Sequence, residues 1–150
     1  MSPDEMLDSI SLEVTYPLTI TLKTRANLDN GFYVSGQVAM RNGSLVATGL
    51  VGNEVTLEQA QECARQCAIN ILTALRNEMG SLNTIRKVAR IAVYVASENG
   101  FTDQHLVAHG ASQLFLEVFG EEIGSHSRTA IGVKSLPLNS PVEVDAIFQE

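Results

Sequence analysis

Residues 56–80 have the sequence TLEQAQECARQCAINILTALRNEMG, which predicts a long amphipathic helix. Thr56 and Gln59 match the capping box. In this motif the Thr hydroxyl accepts a hydrogen bond from an otherwise unpaired backbone amide, and the Gln side chain accepts one from the backbone amide of the capping residue. Behind the cap, apolar side chains recur at helical spacing: Ala60, Ala64, Cys67, Ile71, Leu75 and Met79. Gly80 is placed to end this helix.

Residues 88–97 predict a strand directly after that helix. One of its faces carries Ile91, Val93 and Val95, and the other carries Ala92, Tyr94 and Ala96. Because both faces are apolar, we expect both to be covered.

The remaining pattern predicts a second helix and several shorter strands. The helix runs from a cap at Thr102 or Asp103 to Gly120, and a break is expected at residues 27–31. Asn42-Gly43 is typical of a tight hairpin turn. The other predicted strands cover residues 18–22, 32–40, 45–48, 129–135 and 142–148. The sum is an α+β fold, with one mixed sheet of about six strands and two long helices on one face.

The chain length of 150 residues suits a single domain over residues 1–150, with residues 1–15 expected to be flexible or peripheral. No third helix is predicted, so the second face of the sheet needs another cover. We expect identical subunits to close it off by cyclic symmetry.

The charge pattern argues against several partners. The formal net charge is −7 and the ten basic residues are scattered, whereas binding to phosphates needs clustered Lys and Arg. We therefore expect neither nucleic acid nor membrane as a partner. The N-terminal segment lacks signal-peptide features. Cys63 and Cys67 suit neither a disulfide framework nor a C-x-x-C site, so they are expected to be packing thiols in a cytoplasmic protein.

Arg128 stands at the head of a predicted strand, where a cation is costly without an anionic partner. Ile131 and Val133 should face the helix-covered core, which would direct Arg128 to the opposite face. Ala130 and Gly132 beside it would leave room for a small molecule. The guanidinium could bind a carboxylate bidentately, and the alternative is a salt bridge between subunits.

Glu143 and Asp145 share one face of the final strand. If that strand pairs antiparallel with the preceding one, either carboxylate could lie near Arg128 and position a water or carry a proton. The alternative is a solvated face of an edge strand.

Three histidines give no clear metal site. His105 and His109, at i and i+4, share a helix face, but the pattern lacks the Glu of H-E-x-x-H and a third ligand. We expect surface histidines and no metal, and His126 receives no role. No nucleotide or cofactor motif is present, so no cofactor is implied.

Several segments together resemble the Rid family, the reactive-intermediate deaminases also called YjgF-like proteins or L-PSP endoribonucleases. They are VSGQ at residues 34–37, the helix from Thr56, the strand at residues 88–95 and the closing pattern SRT…LP…VEVDAI at residues 127–147. The closing pattern is the most specific of these.

The resemblance implies a bacillus-type chorismate-mutase-like fold and a homotrimer with clefts between subunits. In the family's deaminases, the arginine matching Arg128 holds the substrate carboxylate and the glutamate matching Glu143 helps to position the water. The substrates are 2-imino or 2-enamino acids, which yield 2-keto acids and ammonia. Our catalytic candidates are therefore Arg128 and Glu143, and our substrate-binding candidates are Arg128, Ala130, Gly36 and Tyr94.

The chain departs from the typical deaminases in three places. Leu22-Lys23-Thr24 stands where they have Gly-Pro-Tyr-Ser, Ala130 replaces their cysteine, and residues 99–110 form a longer segment. The first hypothesis is a cofactor-free hydrolytic deaminase. The alternative is a non-catalytic trimeric protein that binds a small carboxylate or a protein partner. RNA cleavage comes third, because the acidic balance argues against it.

Overall fold

A computed structural model describes residues 1–10, 25–28 and 31–150, with the backbone alone for 25–28. The elements in these ranges, in chain order, are α1 (Pro3–Ile10), β1 (Arg25–Leu28), β2 (Gly31–Val38), β3 (Met40–Arg41), β4 (Ser44–Leu45), α2 (Leu57–Met79), β5 (Lys87–Ala96), α3 (Gln104–Gly124), β6 (Ser127–Val133), a 3₁₀ turn (Pro137–Asn139) and β7 (Val142–Gln149). The strand predicted at residues 18–22 lies outside the described residues.

The main sheet has the strand order β1-β2-β7-β5-β6. The β5–β6 pair is parallel and the other pairs are antiparallel. The final strand, β7, does not pair with the strand before it, β6, which was the condition for placing a carboxylate near Arg128. Instead it lies between β2 and β5, because the α3 crossover that makes β6 parallel to β5 also places β6 on the outer side of β5.

Helix α2 forms as predicted, with its cap and its terminator. The Thr56 hydroxyl accepts from the Gln59 amide at 3.2 Å, and the Gln59 side chain accepts from the Thr56 amide at 2.9 Å. Gly80 ends the helix with a φ of 89°, in the left-handed region that glycine adopts readily. The hairpin turn is also confirmed, since Asn42 and Gly43 both have positive φ between β3 and β4.

Helices α2 and α3 pack on each other and on one face of the sheet, as predicted, with α2 against β2 and β7 and α3 against β5 and β6. Their crossing is close at Gly110, where a Cβ atom would overlap the carbonyl oxygen of Gln61. The core between helices and sheet contains Phe32, Phe115 and Phe148. The ring of Phe148 lies 6.1 Å from that of Phe32 and 6.0 Å from that of Phe115.

The prediction that the chain has no third helix was wrong. Residues Pro3–Ile10 form α1, whose Leu7 is fully buried in the core. The Asp4 carboxylate anchors this helix by accepting from the Leu82 amide at 2.8 Å and the Ser81 hydroxyl at 2.5 Å. Met6 and Ile10 pack against the core beside Leu7, so the apolar face of α1 spans a single helical turn. Residues 11–15 lie outside the described range.

Two other boundaries differ from the prediction. Gly120 does interrupt α3, with φ 78° and ψ 171°, but a further turn continues to Gly124. The break expected at residues 27–31 contains the end of β1 and the start of β2. Among the described residues, no helix has the length and apolarity needed to cross a membrane.

Candidate functional site

Arg128 lies on the helix side of the sheet. In the parallel register it is paired with Ile91, which is fully buried in the core beneath the helices. Its Nη1 donates to His109 Nδ1 at 3.1 Å and to Ser112 Oγ at 3.2 Å, and its Nη2 donates to the His105 carbonyl at 3.2 Å. The prediction that Arg128 points to the opposite face was therefore wrong.

The face of β6 could not be assigned from apolarity because β6 is an edge strand in the described sheet. Ile131, which we expected in the core, is 44% exposed on the open face. On the helix side, Arg128 instead meets polar groups of α3, namely the His109 ring, the Ser112 hydroxyl and the His105 carbonyl. These hydrogen-bond acceptors reduce the cost of placing an arginine there.

Ser112 connects Arg128 to His126. The Ser112 Oγ lies 2.8 Å from His126 Nε2, and His126 Nδ1 lies 2.7 Å from the Gly124 carbonyl. Burial lowers the pKa of His126, and the nearby Arg128 and Lys87 charges lower it further, although the bond to Gly124 opposes them. At neutral pH the imidazole is therefore uncharged.

None of the groups that hold Arg128 is an acid. A guanidinium has five N–H donors, and three are used on His109, Ser112 and the His105 carbonyl. The Nε–H and one Nη2–H have no acceptor in the described part of the chain, and no described carboxylate forms an ion pair with Arg128. A half-buried cation with two free donors and no counter-charge is suited to an anionic ligand.

The room expected beside Arg128 is occupied within one protomer. Ala130 packs against the core. A Cβ on Gly132 would lie 2.9 Å from Gln104 Nε2 and 3.2 Å from Ser97 Oγ. The small residues of β6 therefore allow close packing of α3 and the loop before it, and they do not line a cavity next to the guanidinium.

Glu143 lies on the opposite, open face of the sheet, beside Gly36. A Cβ on Gly36 would be 2.5 Å from Glu143 Oε1 and 3.1 Å from its Cδ, so the glycine makes space for this carboxylate. Tyr94 is paired with Glu143 in the β5–β7 register, and its hydroxyl donates to Asp145 Oδ2 at 2.9 Å. Three of the predicted site residues thus lie together on this face.

The surroundings of Glu143 make its carboxylate more basic. Partial burial raises the pKa of Glu143, and the neighbouring Asp145 charge raises it further. The pKa of Tyr94 is also raised, by burial first and then by the hydrogen bond to Asp145. Glu143 is therefore a stronger base than an exposed glutamate, as a proton-transfer group near neutral pH requires.

An open groove of about 770 Å³ lies at the carboxyl ends of β5 and β6. It is lined by Leu50, Ser97, Glu98, Asn99, Gly100, Gly132, Val133 and Lys134. Loops at the carboxyl ends of parallel strands are a common position for ligand sites in α/β proteins. Its lining includes Gly132 and Val133 at the carboxyl end of β6, whereas Arg128 lies near the other end of that strand and does not line the groove.

The predicted site residues thus form two groups in one protomer. Arg128 and Ala130 face α3, whereas Gly36, Tyr94 and Glu143 lie on the open face. His105 and His109 are exposed, as expected, but we did not predict that the His109 ring, the Ser112 hydroxyl and the His105 carbonyl accept from Arg128. A usable signal was present, because His105, His109 and Ser112 are spaced i, i+4 and i+7 and form one polar stripe on α3.

Neither cysteine is a reactive group. Cys63 and Cys67 are buried and unpaired, as expected for packing thiols. Burial raises the pKa of Cys63 to about 11 and that of Cys67 well above its ordinary value. In the described part of the chain, no cluster of three His, Cys, Asp or Glu side chains could hold a metal ion.

The five-stranded sheet beneath two long helices, with a cation on its edge strand, defines an α+β protein of the chorismate-mutase-like type. A family model described as "YjgF/chorismate mutase-like, putative endoribonuclease" matches residues 23–150. The chain belongs to this family, so the resemblance seen in the sequence is confirmed.

Individual relatives agree with this assignment. Protein TCP17 of Trypanosoma cruzi is 40% identical over 117 residues, which cover 78% of this chain and 73% of that protein. The crystal structure of Atu1372 from Agrobacterium tumefaciens, a protein of unknown function, has a TM-score of 0.87 at 40% identity over 98% of this chain and 91% of its own. A putative endoribonuclease from Shewanella oneidensis MR-1 has a TM-score of 0.91 over 100% of both chains, and its 24% identity shows the fold alone.

Proposed function

We propose that this protein is a cofactor-free hydrolase that converts small 2-imino or 2-enamino acids into 2-oxo acids and ammonia. The observation that carries the proposal is the state of Arg128, a half-buried cation held by three acceptors, none of them a carboxylate, with two N–H donors left over. A carboxylate accepts two parallel hydrogen bonds from such a fork. Arg128 would hold the substrate by its carboxylate.

The reaction needs little more than positioning. Water adds to the imine carbon and one of its protons passes to the nitrogen. The hydroxyl proton of the resulting carbinolamine then passes to the same nitrogen as the C–N bond breaks, which releases ammonia and leaves the C=O group. Fixing the substrate carboxylate aligns the imine carbon for a held water, and such alignment alone can lower a barrier by several kcal/mol. Glu143, with its raised pKa, is our candidate for holding that water and moving its proton.

Two copies of the chain would complete the site. Within one protomer Arg128 and Glu143 lie on opposite faces of the sheet, so their joint action requires the open face of one copy to approach the edge strand of another. That open face exposes Tyr33 and Ile131, apolar side chains suited to an interface. We propose a homotrimer in which Arg128 of one subunit and Glu143 of another contact the same substrate.

The alternative is a protein that binds a small carboxylate without turnover. The separation of Arg128 from Glu143 within a protomer is the observation that favours it. RNA cleavage is less well supported, because a chain of net charge −7 with scattered basic residues lacks the phosphate-binding surface that the reaction needs.

The test combines turnover with binding. Imines are generated in situ from several amino acids by an amino-acid oxidase, and the release of 2-oxo acid is followed with and without the protein. Loss of two charge-assisted hydrogen bonds in Arg128→Ala should lower kcat/KM by about 100- to 10,000-fold. Arg86→Ala, which removes an exposed arginine at the start of β5, is the matched control and should retain activity.

The possible results separate the hypotheses. Accelerated release that depends on Arg128 supports the hydrolase. A thermal shift with 2-oxo acids but no acceleration with any imine would favour the binding protein. Neither acceleration nor binding would sink both.

A further inference from the structure

We propose that Ser112 and His126 are positioning residues for Arg128, and that they orient its guanidinium through neutral groups without neutralising its charge. The inference rests on the proposed role of Arg128 as the carboxylate anchor. It concerns α3 and the segment after it, which the proposed chemistry does not otherwise use.

Arg128, Ser112, His126 and the Gly124 carbonyl form a chain of hydrogen bonds, called the relay. The direction of each of these hydrogen bonds follows from the last acceptor, the Gly124 carbonyl. The Gly124 carbonyl can only accept, so His126 Nδ1 carries a proton and donates at 2.7 Å. In the neutral ring Nε2 is then the acceptor, and the Ser112 hydroxyl donates to it at 2.8 Å. The Ser112 oxygen retains lone pairs and accepts from Arg128 Nη1 at 3.2 Å.

The relay is built on rigid parts of the molecule. The ring of His126 contacts that of the fully buried Phe115 edge to face, with the centroids 6.0 Å apart at 76°. Ser112 is half-buried on α3, three residues beyond His109, the other side chain that accepts from Arg128. A long, flexible side chain is thereby held at two acceptors on Nη1 and one on Nη2.

The neutrality of the relay has a consequence for ligand binding. An aspartate in place of His109 or Ser112 would also orient Arg128. The carboxylate of a ligand would then compete with the aspartate for the guanidinium. Neutral acceptors fix the guanidinium and leave its Nε–H and second Nη2–H, with the full positive charge, for the ligand. The orientation of the guanidinium and the charge around it can therefore be varied independently by substitution of Ser112.

The first experiment measures the dissociation constant of pyruvate by calorimetry at pH 7.5. Ser112→Ala removes the acceptor and should weaken binding about three- to tenfold. Ser112→Thr keeps a hydroxyl and should stay within about twofold of the wild type. Ser112→Asp keeps an acceptor but adds a charge, so it should weaken binding more than Ser112→Ala does. Ser125→Ala is the matched control, because its hydroxyl bonds only the Glu121 carbonyl, and it should bind as the wild type does.

The second experiment needs no ligand. The side-chain ¹⁵N signals of Arg128 should show restricted rotation about the Cζ–Nε bond in the wild type and in Ser112→Thr. Rotation should be faster in Ser112→Ala and in His126→Phe, which keeps a ring beside Phe115. The ring signals of His126 should be those of the Nδ1–H tautomer.

The outcomes distinguish this inference from the function on which it rests. Pyruvate binding that Arg128→Ala leaves unchanged overturns the proposed function. If Arg128→Ala abolishes binding while Ser112→Ala binds as tightly as the wild type, the positioning role is wrong and the function stands. Arg128 rotation that is equally fast in the wild type and Ser112→Ala also overturns the positioning role, whether or not pyruvate binds.

Discussion

Gly36→Ala should lower activity while changing stability little. The three atoms nearest to a Cβ at position 36 all belong to the Glu143 side chain. The new Cβ would lie 2.5 Å from Glu143 Oε1 and 3.1 Å from Cδ. Non-bonded heavy atoms prefer about 3.5 Å or more, so the carboxylate has to retreat by about 1 Å. The atom displaced is the end of a flexible side chain, and its rotation costs about 1 kcal/mol or less of folding free energy.

Activity should suffer much more than stability. A displacement of about 1 Å in a group that holds the attacking water can cost up to about 100-fold in rate. We expect kcat for imine hydrolysis to fall at least about tenfold, with the dissociation constant of pyruvate changed by less than about threefold, because Arg128 is untouched. The assays are steady-state release of 2-oxo acid, calorimetry with pyruvate, and unfolding in urea.

The Glu143→Gln background supplies the control. If Gly36→Ala acts through the carboxylate, adding it to Glu143→Gln should change kcat little further, as expected for two coupled neighbours. An equal loss in both backgrounds would show that Gly36 acts by another route. A folded Gly36→Ala protein with undiminished kcat would refute the role given to Glu143.

Three further predictions concern stability and can be checked by urea unfolding. Gly110→Ala should destabilise the protein by about 2 kcal/mol, although alanine favours a helix by about 1 kcal/mol, because the overlapping Gln61 oxygen belongs to the backbone and cannot rotate away. Exposed Gln113→Ala is its control, and wild-type stability in Gly110→Ala would contradict the helix crossing. Because burial lowers the pKa of His126, the unfolded chain binds more protons just below the ordinary value of 6.5; stability should fall as the pH drops below 6.5, and His126→Phe should flatten that slope. Because burial raises the pKa of Glu143, its charge costs stability above the ordinary value of 4.5; Glu143→Gln should be more stable than the wild type at pH 7 and no longer so below pH 4.5.

The elements with strong local signals were predictable from the sequence. The capping box at Thr56 and the glycine at position 80 set the bounds of α2 through local hydrogen bonds and backbone conformation. The apolar residues on both faces of β5 predicted that both faces are covered, and Ala92 and Ala96 on the face away from the helices are indeed buried. Helix α1 was missed because its apolar face, Met6, Leu7 and Ile10, covers one turn only, and so short a segment does not repeat the helical pattern.

The site was only partly predictable, because strand alternation gives two faces without saying which one the helices cover. For β5 the sequence left open whether the helices cover the face with Ile91, Val93 and Val95 or the face with Tyr94, and the structure places Gly36, Tyr94 and Glu143 together on the open face. For β6 the apolar Ile131 indicated the wrong face. What decided the orientation of Arg128 was a tertiary contact with acceptors about 15 to 25 residues away on α3, which local patterns do not contain.

The position of a bound 2-oxo acid tests the central claim most directly. A crystal structure with pyruvate should show the carboxylate oxygens within hydrogen-bond distance of Arg128 Nε and Nη2, while Nη1 still donates to Ser112 and His109. Pyruvate bound elsewhere, with the Nε and Nη2 donors of Arg128 facing only solvent or an acidic side chain of a neighbouring subunit, would contradict the account.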